Sequence, residues 1–149
     1  MKIEEEIQQR SFRNEYQKSA INLIYTYGWL HNKQKKFFSD YDITAQQYNV
    51  LRILKGQYPK VISTSEIKSR MLDKNSDVSR IVDRLEVKGL VKKKICKSDR
   101  RLVDVSINAD GIQLLKNIDT RIQDFDNLFA ALQPDEAKEL NRLLDKLRG

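Results

Sequence analysis

From Ile7 to Phe38 the chain has no proline and one glycine, Gly28. One apolar set falls at Ala20, Leu23, Ile24, Tyr27, Leu30 and Phe37/Phe38, spaced by threes and fours, and a second set, Ile21, Tyr25 and Trp29, lies on another side. A helix apolar on two sides is not satisfied by one neighbour. The pattern predicts a long helix wedged between its own domain and something else. Thr44, with Gln47 three residues on, makes a capping box for a second helix carrying Tyr48, Leu51, Ile53 and Leu54, which Gly56 to Pro59 ends. Val61-Ile62 reads as a short strand. Ser63-Thr64-Ser65-Glu66 opens a short helix with Ile67 and Met71/Leu72 inward. Asn75 or Ser76 caps the next helix, where Val78, Ile81, Val82 and Leu85 keep the helical period up to a C-capping Gly89.

After Gly89 the period changes. Leu90-Val91 begins a strand, Lys97 to Arg101 makes a polar tip, and Val103, Val105 and Ile107 alternate with Asp104, Ser106 and Asn108. That is a β-hairpin with one buried face. Asn108-Ala109-Asp110-Gly111 then caps a long helix whose Leu115, Ile118, Ile122, Phe125, Phe129 and Leu132 recur as in a coiled-coil seam. Gln133-Pro134 breaks it, and a last helix runs from Asp135 to Leu147. The expected fold is mainly α (α+β), a winged helix-turn-helix lobe over residues 41–109. Long flanking helices, residues 1–40 and 110–149, complete a single domain. Their spare apolar surface calls for a partner, and a second copy is the economical one. The dimerisation candidates are Ile7, Phe12, Ile118, Ile122, Phe125, Phe129, Leu140, Leu144 and Leu147.

Composition sharpens this picture. The 149 residues are long enough for a real core. Net charge is +7 and the pI about 9.5, a balance that favours a polyanionic partner. Most of the excess is local, since Ile62 to Ala109 holds 12 Lys/Arg against 7 Asp/Glu. One cysteine, Cys96, excludes an intramolecular disulfide and any cysteine-based zinc site. No apolar run approaches a membrane span, and MKIEEEIQQR lacks the layout of a secretory signal. A cytoplasmic protein with no membrane partner, no metal and no cofactor is expected. An enzyme is disfavoured. The chain has neither G-x-x-x-x-G-K nor G-x-G-x-x-G, and its one histidine, His31, is far in sequence from Cys96.

Why then do seven basic residues gather between Lys88 and Arg101, against one acid? A helix-turn-helix places its second helix in the DNA major groove. With Val78, Ile81, Val82 and Leu85 inward, Ser76, Asp77, Ser79, Arg80 and Arg84 are left outward, joined by Asn75 at the start. Arg80 suits bidentate pairing with guanine. Ser63, Thr64, Ser65 and Lys68 suit backbone phosphates, which fix register without reading sequence. The tip Lys97-Ser98-Asp99-Arg100-Arg101 is placed to reach an adjacent minor groove. The bland readings stand beside these. A basic stretch is commonly solvated surface, Asp83 and Arg84 could pair with each other, and Asp77 could serve only the helix dipole.

At this point a resemblance becomes specific. Val78-Ser79-Arg80-Ile81-Val82-Asp83-Arg84-Leu85-Glu86, then Lys88-Gly89-Leu90-Val91, then Asp99-Arg100-Arg101-Leu102-Val103-Asp104-Val105-Ser106-Ile107 resemble the MarR family (multiple-antibiotic-resistance regulators) and its D-x-R-x-x-x-V-x-L wing signature. The likeness covers nearly the whole chain but is sharp only from Ser65 to Gly111. It implies a homodimeric winged-helix repressor or activator on a near-palindromic double-stranded operator. It also implies that Asp99 pairs with Arg101 to brace the wing. Prolines common in the family's wing are missing, Asn108 stands for a frequent threonine, and Lys68 stands where a small residue is common. Family members often bind small aromatic or anionic effectors between the dimer helices and the winged lobe, which makes Tyr25, Trp29, His31 and Tyr48 pocket candidates. Aromatics at helical spacing are more often plain core. Cys96 invites a redox reading, but an inert structural cysteine is the simpler one.

A winged-helix module gripping an acidic protein is the runner-up. Replacing Arg100 and Arg101 together with alanine separates the two. For a DNA binder, fold and dimer persist in circular dichroism and sedimentation while operator affinity collapses. For an interaction module, the parent protein itself binds DNA weakly and without sequence preference.

Overall fold

The structure is a computed structural model, described here over residues 1–95 and 103–149. Its elements are α1 (Ile3–Glu6), α2 (Glu15–Ser39), α3 (Ala45–Gln57), β1 (Ile62–Ser63), α4 (Thr64–Arg70), α5 (Val78–Val87), β2 (Val91–Ile95), β3 (Val103–Ile107), α6 (Ala109–Asp119), α7 (Gln123–Asp126) and α8 (Pro134–Arg148). A turn of 3-10 helix, Asn127–Phe129, follows α7. The fold is mostly helical with one small antiparallel sheet in the order β1-β3-β2. Val91 pairs with Ile107, Lys93 with Val105 and Ile95 with Val103, while Ile62 of β1 meets Val105 from the other side. Among the described residues, no helix is long and apolar enough to cross a membrane.

Local chemistry sets most boundaries. Thr44 accepts from the Gln47 N–H at 3.1 Å while its own N–H donates to Gln47 Oε1 at 3.0 Å. Ser63 and Glu66 make the same reciprocal pair at α4. The Ser63 N–H, and then its hydroxyl, hold the Glu66 carboxyl below its ordinary range. A depressed carboxyl contributes stability above its unfolded pKa and loses it as pH falls through the folded value, so this cap weakens only in acid. Asp77, rather than Asn75 or Ser76, caps α5 by accepting from the Arg80 N–H at 3.1 Å. At the other end, the Gly89 N–H donates to Glu86 and the Leu90 N–H to Leu85. This double closure needs Gly89 at φ +72°.

The main core lies between α3, α5, α6 and the sheet, with Val50, Leu51, Leu54, Ile67, Val82, Leu85, Val105 and Leu115 almost wholly buried. A second cluster joins Phe37 and Phe38 of α2 to Ile43 and Ile118, with Phe125 packed against it. Helix α8 has no buried residue.

Four expectations change. The first long helix starts at Glu15, not Ile7: Asn14 accepts from the Gln17 N–H and ends the preceding segment. That segment folds back so that Glu4 meets Lys18 at 2.6 Å and the Tyr25 hydroxyl donates to Glu6. Leu72 is 88% exposed while Met71 alone turns inward. The seam helix stops at Asp119, where the Thr120 hydroxyl donates to the Asn117 carbonyl. Phe125 then turns onto Phe37, with ring centroids 4.5 Å apart. Aromatic packing overrides helical continuity there. Ile118 is fully buried in this cluster, and the half-buried Phe125 packs against it.

Gly111 marks the tightest approach. A Cβ there would lie 2.4 Å from the Leu90 carbonyl oxygen and 2.7 Å from Ile107 Cγ1. Gly111→Ala is expected to destabilise by about 1–3 kcal/mol through overpacking, outweighing the usual helix gain of alanine. Thermal melting checks this, and a variant melting at or above the parent would show that the strand yields.

Candidate nucleic-acid interface

Helices α4 and α5 are the two arms of the helix-turn-helix. The turn between them is held by side-chain acceptors: the Leu72 N–H donates to Asn49 Oδ1 at 3.0 Å, and the Asn75 N–H to Asp73 Oδ1 at 2.9 Å. On α5 the row Val78, Ile81, Val82 and Leu85 is buried, and Ser79, Arg80, Asp83, Arg84 and Val87 are exposed. Among the described residues no carboxylate lies within 4 Å of the Arg80 or Arg84 guanidinium. These two cations lie exposed beside Ser79 on one helical surface.

Other predicted contacts fare differently. Ser76 is buried, its hydroxyl having no hydrogen-bond partner among the described residues, so it is not an outward contact. The Ser63 hydroxyl is buried and engaged with Glu66 and Ser65, which leaves it as a cap rather than a phosphate ligand. Asp77 is exposed but committed to the α5 cap. Thr64 is half-buried, while Ser65, Lys68 and Asn75 are exposed. The wing contacts Lys97, Ser98, Asp99, Arg100 and Arg101, and Cys96, lie outside the described residues.

The basic stretch divides once partners are known. Lys88 donates to the Asp42 carboxylate at 2.6 Å and to the Asp42 carbonyl, tying the end of α5 to the turn between α2 and α3. Lys93 Nζ lies 2.6 Å from Asp83 Oδ1 and 3.1 Å from Glu86 Oε2. Those bonds, Asp83 first, hold the Lys93 ammonium above the ordinary lysine range. Asp83 thus pairs with Lys93 and not with Arg84. Lys92 and Lys94 lie on the opposite face of β2 and are exposed. Counting cations along the sequence missed this split. The signal was available in two places: Asp83 and Glu86 sit one turn apart on α5, and strand alternation sets Lys93 apart from its neighbours.

A cleft of about 920 Å³ opens between the C-terminal half of α2, the start of α3 and α5, lined among others by His31, Lys35, Asp42, Asp83, Arg84 and Lys88. Of the four predicted pocket residues only His31 lines it. The Tyr25 hydroxyl donates to Glu6, Trp29 is exposed on α2, and Tyr48 stacks on Phe38 with its hydroxyl accepting from Arg52 Nε at 2.8 Å. Among the described residues no group of His, Cys, Asp or Glu is arranged to hold a metal.

The flanking apolar residues sort by exposure. Ile122, Phe129, Leu140 and Leu147 are exposed and Leu144 half-buried, with Ile24, Tyr27 and Trp29 of α2 also open. Ile7 and Phe12 are half-buried in the segment before α2.

Known proteins share this arrangement. The sequence profile of the MarR family matches residues 43–103. A solved MarR transcription factor from Planctomyces limnophilus is 31% identical, covering 91% of this chain and 98% of that one at a TM-score of 0.71. A mutant MarR from Escherichia coli, solved in complex with operator DNA, is 27% identical over 87% of this chain and 95% of that one, also at a TM-score of 0.71. The HTH-type transcriptional regulator PecS of Dickeya dadantii is 25% identical over 114 residues, 75% of this chain and 69% of PecS. With an exposed basic face on α5, a strand pair beside it and a likeness spanning nine-tenths of its length, the chain belongs to the MarR family of transcriptional regulators.

Proposed function

We propose that the protein is a homodimeric regulator that binds a near-palindromic double-stranded operator and is released from it by a small anionic ligand, acting as a repressor. The observation that carries the DNA reading is the outer face of α5. Ser79, Arg80 and Arg84 are exposed there, and both arginines lack a carboxylate partner among the described residues. Nearby cations such as Lys88 and Lys93 are tied within the protein. Arginine forks suit guanine edges, and exposed lysines such as Lys68, Lys92 and Lys94 suit phosphates. The operator-bound relative supports this choice over an acidic protein partner.

The dimer reading rests on α8, which has no fully buried residue in the protomer, and on the open apolar faces of α2. The division into dimerisation helices at residues 1–40 and 110–149 and a DNA-binding lobe at 41–109 follows from it. The effector reading rests on the cleft. Lys35, Arg84 and Lys88 outnumber Asp42 and Asp83 among its charged lining residues, and Arg84 also belongs to the reading face. An anion seated there draws Arg84 away from DNA.

Selection from a pool of random duplexes at physiological salt tests the DNA reading. An enriched palindrome with half-sites about one helical turn apart, ~34–36 Å, is expected. Affinity for it falls by roughly 10³–10⁵ between about 50 and 200 mM salt, as for six to ten neutralised phosphates. Enrichment of nothing would remove the reading. For the effector, a panel of small aromatic carboxylates is titrated onto the operator complex. Release by at least one is expected, and Lys35→Met weakens that release about tenfold while leaving operator affinity unchanged, one unpaired charge contact being worth roughly that much. Release that is indifferent to Lys35 would move the ligand elsewhere.

A further inference from the structure

Beyond Val91 the strand β2 leaves the apolar core: Lys92 to Ile95 are all exposed, and Ile95 is 63% open. In the order β1-β3-β2 it is also an edge strand, and the sheet narrows from three strands at Lys93, Val105 and Ile62 to the β2–β3 pair alone at Ile95 and Val103. That two-stranded end has little stability of its own. The inner face of β2 is tied to α5 through Lys93. Lys93 lies opposite the fully buried Val105, on the side of the sheet that faces α5. Its ammonium meets Asp83 at 2.6 Å and Glu86 at 3.1 Å, and its backbone N–H donates to the other Glu86 oxygen at 3.1 Å. Residue 93 thus makes a three-point clamp on two acids one helical turn apart.

We infer that Lys93 is a positioning residue of the DNA interface: bound to Asp83 and Glu86 rather than to phosphate, it fixes the angle between the reading helix and the wing, so that both engage their grooves in register. This rests on the DNA reading proposed above. Two of the three ammonium donors are already used, and the residue faces the helix while Lys92 and Lys94 face away. The clamp also neutralises acids that sit on the helix beside Arg80 and Arg84 and would otherwise repel a polyanion. Exposed ion pairs contribute little to global stability, so the clamp's effect is on geometry and not on folding.

The test uses the full-length protein and the selected operator. Lys93→Met keeps the stem and removes the charge, Lys93→Arg keeps the charge, and Lys92→Met is the outward control. Lys93→Met is expected to lower the ratio of operator to non-specific affinity by about tenfold, a typical share of a base-contact's discrimination. The slope of log affinity against log salt stays unchanged, and Lys93→Arg restores most of the ratio. Lys92→Met instead lowers that slope by about one and weakens both affinities alike. A Lys93→Met protein with an intact ratio, or with the slope change of a phosphate contact, would overturn the inference. Hydrogen exchange reads the clamp without DNA: Lys93→Met is expected to speed exchange at the amide of residue 93 and along β2, and unchanged exchange also overturns it. A parent that prefers no operator, together with faster exchange in the variant, would sink the DNA reading while leaving the clamp standing.

Discussion

The short turn that ends α5 organises the rest of the molecule. Gly89, in the left-handed region, lets Leu90 close back on Leu85 and hands the chain directly to the sheet. Everything nearby then converges on three residues. The Asn108 side chain donates to the Gly89 carbonyl at 2.6 Å, and its backbone N–H to the Leu90 carbonyl. Gly111 lets α6 press against that same carbonyl. Lys88 reaches across to Asp42, and the Leu90 side chain packs against both apolar clusters. Any movement of α5 is therefore felt at once by the wing, by α6 and by the turn that leads to the long helix α2.

Charge around α3 and α5 works as internal wiring as much as a coating. Lys88 and Lys93 each hold α5 to a different element, one to the turn before α3 and the other to β2. Arg52 and Lys55 of α3 share Asp119 of α6, and Arg121 bonds Asp40 while lying 5.1 Å over the Phe37 ring. The helix that carries Arg80 and Arg84, which have no carboxylate partner among the described residues, is thus framed by cations already committed elsewhere, which concentrates positive charge on one surface.

Features decided within a few residues were legible in the sequence. The capping boxes at Thr44 and Ser63, the Asn108 cap, Pro134 at the first turn of α8 and the change of period at Gly89 depend on local hydrogen bonds and backbone freedom, so the local order of residues announces them. The outward placement of Ser79, Arg80 and Arg84 followed from the same periodicity. What escaped depends on distant partners. Nothing around Thr120 announces a break, because the break exists to bring Phe125 to Phe37 and Phe38, more than eighty residues away in sequence. Ile118 fits a seam as well as a core, and only the second cluster decides between them. Ser76 looks like a helix cap until Asp77 is found doing that work. A lysine's partner is likewise a property of the fold and not of its neighbours in the chain.

The last helix carries a consequence of a different kind. A segment of fifteen residues with Leu140, Leu143 and Leu147 exposed and none of its side chains buried has little holding it within one protomer, and a helix of that length is marginal in water by itself. In the proposed homodimer its order comes from association, so its folding obeys mass action. The melting temperature of such a protein rises with its own concentration. A regulator present in few copies would then have a threshold abundance below which its C-terminal region frays and the pair of reading helices is no longer held at a fixed distance.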